Sequence, residues 1–467
     1  METLQRTANR GSISTGFDID NSVKIEPVND EGLHFTPSST TNTDTFTFSC
    51  WFKRTEISNQ LNSLFGSYTD GSNHALFRFK TDDTLELRFV TAGTGKILVS
   101  DMLFRDTSAW YHMVLAVDTT DGTTANRVKV YINGEQITLT GDYPNQNQDC
   151  IGINTASKAM NVGYLNNFSN VEFSGYMADV YFVDGQQLAA TDFGEYDDDS
   201  GIWIPKQRGG SYGTNGFKLE FKNSSNLGED TSGNSNNFTA VNLAAIDQAT
   251  DTPTNNFCTL NFNTGYIQGS DATTFTQGAT TRQGGSGSYN GALGTMGINP
   301  FVGSAKWYWE VELSANNNGT GIELAAGWLA TSIAQSNTSN KATAGNGAGF
   351  QIWTSFDWSP PTEGTGADGD IFGFLLQCDS SSPSLKIYKN DTLFTTRLHS
   401  LPYDFENDFY FPVVFIFNTG LKAFCNFGNP FDATISSGNT DPNSYGNFEF
   451  DTKGGYALCT KNLEEFG

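Results

Sequence analysis

The segment Val128-Lys129-Val130-Tyr131-Ile132-Asn133-Gly134-Glu135 constrains the fold most. Apolar and polar side chains alternate one by one, the period of a strand with one buried face. The run ends in Asn-Gly, whose left-handed backbone closes a two-residue hairpin. Similar short runs recur at Thr45–Phe52, Ala75–Phe79, Leu85–Val90, Trp110–Val117, Arg127–Ile132 and Tyr176–Phe182, punctuated by Thr69-Asp70-Gly71 and Thr120-Asp121-Gly122. No stretch keeps apolar residues at i, i+3, i+4, i+7 for three turns between capping signals, so helix is a minor component. Many short strands at this spacing imply β-sandwich architecture.

Composition agrees. Among 467 residues there are 49 Gly, 37 Phe and 17 Tyr, and only 16% are charged. Aromatics suit pleated surfaces and glycines suit turns. At roughly 150 residues per domain, the length accommodates two to three domains. Acidic residues outnumber basic ones 51 to 26, a formal charge of −25, which argues against nucleic acid as a partner because phosphate binding needs basic patches. Cys50, Cys150, Cys258, Cys378, Cys425 and Cys459 lie far apart without CxxC or zinc spacing, and read as buried thiols. The polar start from Met1 to Arg10 carries no apolar leader core, so no signal peptide is expected. No run of 18 apolar residues predicts a membrane span.

The chain divides by pattern. Residues 1–32 read as an N-terminal arm and attachment segment, and 33–188 as the first sandwich. Residues 189–302 form a polar connecting region with short strands at Gly216–Phe221 and Cys258–Phe262. A second sandwich is expected over 303–430, with strands Lys306–Leu313, Gly327–Ala330, Phe350–Trp353, Ile371–Leu376, Ser384–Tyr388, Tyr410–Phe417 and Lys422–Phe427. Residues 431–467 read as an irregular C-terminal segment with short strands at Asn447–Asp451 and Tyr456–Cys459.

Specific elements resemble known families. Phe46-Thr47-Phe48-Ser49-Cys50-Trp51-Phe52-Lys53-Arg54, Trp110-Tyr111-His112-Met113-Val114, the Val128–Glu135 hairpin and Gly175-Tyr176-Met177-Ala178-Asp179-Val180-Tyr181 occur in an order that resembles a concanavalin A-like jelly roll of laminin-G or pentraxin type. Lys306-Trp307-Tyr308-Trp309-Glu310-Val311, Ala326-Gly327-Trp328-Leu329-Ala330, Leu385-Lys386-Ile387-Tyr388-Lys389-Asn390-Asp391 and Phe411-Pro412-Val413-Val414 followed by Phe424-Cys425-Asn426-Phe427-Gly428 are similar to a SPRY domain, with an insertion-like stretch at Ser332–Gly349. The expected fold is thus all-β: two concanavalin A-like antiparallel sandwiches, or jelly rolls, joined by a long irregular connecting region. Their pairing through "FGEYDDDSGIWIPK", "GSYGTNGF" and "DTPTNNFC" resembles bacteriophage virion structural proteins of the fibre, appendage or capsid-decoration type. That resemblance implies a non-enzymatic protein on the virion exterior, with other virion proteins, further copies of the chain and host-surface glycans as partners. A carbohydrate-binding receptor protein is the main rival, and a glycan hydrolase a weaker one.

Candidate site residues follow from chemistry. Retaining or inverting glycosidases need paired carboxylates, but Glu195-Tyr196-Asp197 and Glu449-Phe450-Asp451 each lack the expected second Glu. Calcium takes carboxylate and amide oxygens from Asx-rich loops. Asp230 with Asn234, in Asp230-Thr231-Ser232-Gly233-Asn234-Ser235-Asn236, and Asp70 with Asn73 offer such oxygens, while the same residues equally read as Asx-capped turns. Trp353, Trp358 and Tyr403 are candidates for stacking on a sugar or partner, Trp358 because Ser359-Pro360-Pro361 forces it into a loop. His112, between Tyr111 and Met113 in a strand pattern, reads as a packed histidine rather than a base.

Overall fold

The computed structural model describes residues 17–57, 60–166, 168, 171–198, 200–261, 274–284, 290–314, 324–330, 351–354, 367–398, 409–416 and 421–467. The chain forms two compact bodies divided between Asn255 and Asn256.

The first body is a sandwich of two eight-stranded sheets, antiparallel throughout. One sheet runs in the order Glu135–Gln136, Val128–Ile132, Tyr111–Asp118, Thr45–Arg54, Gly175–Asp184, Ser22–Ile25, Gln248–Ala249, with Phe217–Leu219 also paired to Gly175–Asp184. The other runs Leu139–Gly141, Thr94–Leu103, Thr84–Thr91, Asn73–Phe79, Asn62–Asp70, Met160–Val162, Gly32–Phe35, Thr239–Val241. Their facing sides share one core that includes Phe46, Phe48, Phe65, Phe77, Phe182 and Phe217. Phe48 and Phe65 stack across the gap with centroids 4.4 Å apart. The hairpin forms at Asn133-Gly134, whose φ angles of 48° and 87° are the left-handed pair such a turn requires.

Two expectations need correction. The sandwich begins before Leu33, since Ser22–Ile25, assigned to the arm 1–32, is an interior strand buried along its whole length. A strand buried on both faces carries no alternation to find. The segment 189–302 is not one connector: its first part supplies Phe217–Leu219, Thr239–Val241 and Gln248–Ala249 to the first body. Its last part supplies Thr274–Thr276, Thr281–Gln283 and Asn290–Leu293 to the second. Phe217–Leu219 falls within the strand expected at Gly216–Phe221, while the others, two to four residues long, are too short for a sequence period to register.

In the second body an eight-stranded sheet runs Thr274–Thr276, Thr281–Gln283, Lys422–Asn426, Lys306–Ser314, Ile371–Gln377, Ser384–Lys389, Thr392–Leu398, with Tyr456–Ala457 lying parallel to Lys306–Ser314. A four-stranded sheet runs Asn290–Leu293, Tyr410–Ile416, Leu324–Ala330, Gln351–Thr354, its last pair parallel. Trp307, Trp309, Trp328 and Phe374 lie in the shared core, as their strand pattern implied. Cys258–Phe262 is not a strand over its described residues; only Leu260 makes a bridge, to Gly294. Asn447–Asp451 is likewise irregular, and Thr460–Phe466 is a short helix where further loop was expected. Ser332–Gly349 and Phe350 lie outside the described residues.

All six cysteines are buried thiols outside any disulfide, and burial pushes the thiols of Cys50, Cys150, Cys378 and Cys425 upward. No helix among the described residues is long and apolar enough to cross a membrane.

Candidate functional site

A sandwich can present a ligand on the outer face of either sheet. In the first body the sheet containing Thr45–Arg54 has that face covered by the chain's own later residues. Lys53 pairs with Asp251 at 2.8 Å, and Trp110 Nε1 donates to the same carboxylate at 2.9 Å. Trp203 packs over His112, and Phe193 against Tyr181. His112 and Ser49 meet here, Nε2 to Oγ 2.9 Å, superficially a base with its nucleophile. The indole N–H of Trp203 donates to His112 Nδ1 at 3.0 Å, so the ring proton sits on Nε2 and is donated to Ser49. A general base must accept the hydroxyl proton. This imidazole gives one, and burial lowers its pKa to about 3. The pair is structural.

The outer face of the other sheet is the less covered one: Tyr68 and Arg88 are partly exposed on it, while Leu76, His74, Arg78 and Glu86 are buried within it. Register sets its rows: Arg78 lies opposite Glu86, which lies opposite Val99; Leu76 lies opposite Arg88, which lies opposite Ile97; Tyr68 lies opposite His74, which lies opposite Val90. Cross-strand partners share a face, so these residues form one surface. Arg78 grips Glu86 with Nε and Nη2, each 3.0 Å from Oε1, while Arg88 Nη1 stands 3.5 Å from Oε2. His74 Nδ1 is 3.2 Å from the carbonyl of Asp70, which can only accept, leaving Nε2 as an acceptor. Burial, helped by the Arg88 and Arg78 charges, lowers the pKa of His74 and keeps it neutral. Tyr68 lies 5.6 Å from His74 and meets Phe168 edge-on at 5.0 Å.

A loop after Met160–Val162 closes one side of this surface. Leu165 and Val171 pack on Leu76, and Tyr164 Oη stands 2.6 Å from His34 Nδ1. Asn161 donates to the Gly66 carbonyl at 3.1 Å and accepts from the backbone N–H of Asn166 at 3.1 Å. A side chain at Gly66 would press Leu165 at 3.3 Å and the Ala75 carbonyl at 2.6 Å, so glycine there lets the loop settle onto the sheet. What stays partly exposed is a surface with the Tyr68 and Phe168 rings at one end and the Arg88 guanidinium at the other.

Of the residues singled out from sequence, Asp70 and Asn73 border this surface and the others lie elsewhere. Asp230 is almost fully buried, and its two oxygens accept from Lys218 N, Ser232 N, Ser232 Oγ and Asn236 N at 2.8–2.9 Å. Asn234 turns its amide nitrogen to the carbonyls of Gly213 and Gly216 at 2.7 and 2.8 Å. Lone pairs that calcium would need are thus committed to protein donors, and the Asp230–Asn234 pair is a turn clamp. Asp70 accepts from Ser72 N at 2.8 Å and Asn73 Nδ2 at 3.1 Å, again a turn. Among the described residues no group of three or more His, Cys, Asp or Glu could hold a metal ion.

Trp353 stands in the strand Gln351–Thr354 opposite Gly327, and Trp358 and Tyr403 lie outside the described residues. Glu195 pairs with Lys206 at 3.2 Å, and Asp197 binds Ser200. Glu449 binds Ser436. Three carboxyls are raised by burial: Glu31 beside Lys24, Asp179 to about 6 beside Lys218, and Glu310 to about 7 despite donors from Tyr308, Asn426, Glu449 and Phe450. Sequence reasoning missed Tyr68, His74, Arg78, Glu86 and Arg88. Their signal was present: they occupy the polar phase of consecutive alternating strands, which a meander brings side by side.

Residues 29–191 match a family profile described as the concanavalin A-like lectin/glucanases superfamily, so this part of the chain is a concanavalin A-like, laminin-G-like domain. No curated protein matches the chain in sequence. Among solved structures, a heptameric SAP-like pentraxin from Limulus polyphemus is 17% identical, with 37% of this chain and 80% of that one covered at a TM-score of 0.28. A putative carbohydrate binding protein from Bacteroides ovatus is 16% identical over 48% of this chain and 58% of its own, at 0.31. The CBM40 of an IT-sialidase from Ruminococcus gnavus is 15% identical over 36% of this chain and 92% of its own, at 0.27.

Proposed function

We propose that this chain is a non-enzymatic glycan-binding protein, and that the less covered outer face of the first sandwich is its binding surface. The observation that carries the reading is the joint placement of Tyr68, His74, Arg78, Glu86 and Arg88 on one sheet face, where the opposite sheet is covered by the chain itself. Aromatic faces stack on sugar rings, and fixed polar groups orient hydroxyls. Rigid strands hold both kinds of group in register. On this reading the protein binds without cleaving, and a reducing-sugar assay across bacterial surface polysaccharides detects no release. The experiment that tests binding is a glycan array with the whole chain and its Tyr68→Ala variant. The expected result is saturable binding to a subset of glycans, weakened at least tenfold by the substitution. Absence of binding across the array, or undiminished binding by Tyr68→Ala, overturns it.

The setting we propose is the exterior of a bacteriophage virion, with the second sandwich SPRY-like and engaged in assembly contacts. Support comes from the order of the two sandwiches around "FGEYDDDSGIWIPK" and "DTPTNNFC". The acidic charge of −25 keeps such a chain soluble and off anionic surfaces until specific contacts form. Mass spectrometry of purified particles, with antibody labelling of intact ones, tests the setting.

A further inference from the structure

We infer that the ligand of the less covered face is an acidic oligosaccharide, with its carboxylate taken by Arg88 and a neighbouring ring laid on Tyr68. The inference rests on the glycan reading above and names the ligand class. Glu86 is the acidic partner of both guanidinium groups, and it is divided unequally. Arg78 holds Oε1 with two nitrogens at 3.0 Å, whereas Arg88 has a single 3.5 Å approach to Oε2. The Arg88 side chain keeps 29% of its surface exposed, against 10% for Arg78. Arg78 is therefore a fixed support that holds Glu86. Arg88 retains donors in the planar fork that matches a carboxylate bidentately.

Arg78 and Arg88 against Glu86 leave the guanidinium end of the patch net positive on a chain of net charge −25, with Asp70 at the far end beyond His74. The adjacent His74 is neutral and presents Nε2 as an acceptor, which suits a sugar hydroxyl. Spacing fixes the ligand's minimum size. Tyr68 lies two strands away from Arg88, and at about 4.8 Å per strand that is roughly 10 Å, farther than one pyranose reaches. A ligand touching both has at least two rings. A peptide carboxylate would meet Arg88 equally well, but an acidic peptide brings no ring to lie on the Tyr68–Phe168 aromatic pair.

The test uses the whole chain and a panel of uronate- and sialate-containing oligosaccharides, each beside its carboxyl-reduced form. The expected result is at least tenfold tighter binding of one or more acidic forms, weakening as salt is raised. Arg88→Gln should abolish that preference, bringing the acidic forms down to the affinity of the reduced ones, Arg88→Lys should restore part of it, and Tyr68→Ala should weaken both forms. Melting temperatures of the variants control for folding. Equal affinity for acidic and reduced forms, or a preference that survives Arg88→Gln, overturns the acidic ligand and leaves the glycan reading standing. A glutamate-rich peptide binding as tightly as the best sugar overturns it too. Failure of every sugar to bind sinks both.

Discussion

His112 is held neutral from two sides, because an imidazolium can neither accept the Trp203 indole proton nor regain in a closed core the hydration it loses. The unfolded chain protonates this histidine near pH 6.5, while the folded one resists to about 3. Between those values the unfolded state binds more protons, so this contribution is complete above pH 6.5 and lost as pH falls. Its slope is at most about 1.4 kcal/mol per pH unit. Denaturant titrations of the whole chain from pH 7.5 to 5 should show that loss, and His112→Gln should reduce the slope. Identical pH profiles for the two proteins would contradict the account. At this scale the sequence was legible where one side chain decides the matter: His112 as a packed residue and the Asn133-Gly134 turn were both readable. Arg88 was not, since its meaning depends on which of two guanidinium groups Glu86 satisfies.

The Asp230 loop shows how an element can imitate a metal site. Its Asp, Ser and Asn residues have the composition of a calcium loop, yet each oxygen of Asp230 already serves backbone and hydroxyl donors that anchor the turn to Phe217–Leu219. Asp230→Ala should therefore destabilise the chain by roughly 1–3 kcal/mol, the cost of stranding buried donors. A chelator should leave the melting temperature of the parent protein unchanged. A drop on chelation that Asp230→Ala abolishes would restore the calcium reading. Long strands such as Thr45–Arg54 and Ile371–Gln377 were visible in the sequence because their apolar and β-forming pattern spans many residues. Ser22–Ile25 was not, being short and buried on both faces, and neither was Thr460–Phe466, a two-turn helix without a side-chain cap.

For the molecule as a whole, the span that matches the family profile is smaller than the span that makes a closed core. Residues 29–191 omit Phe217, Leu219 and Phe238, each buried in the first core, and they strip Lys53 of Asp251. Each lost aromatic or aliphatic side chain forfeits about 1.5–3 kcal/mol, and a stranded buried charge costs about 3–5 kcal/mol. Together these rival a domain's whole stability of roughly 5–15 kcal/mol. A fragment of residues 17–255 should melt cooperatively, and one of 29–191 should not; equal melting of the two would refute the argument. The same closure has a timetable. Ser22 Oγ donates to the carbonyl of Asp251, 229 residues later, and both strands that flank Ser22–Ile25, Gly175–Asp184 and Gln248–Ala249, come far later in the chain. A ribosome adding about 5–20 residues per second needs on the order of ten to forty-five seconds to deliver that partner. Until Gln248–Ala249 emerges, Ser22–Ile25 keeps an unpaired edge, and this half-built form is the one a chaperone meets.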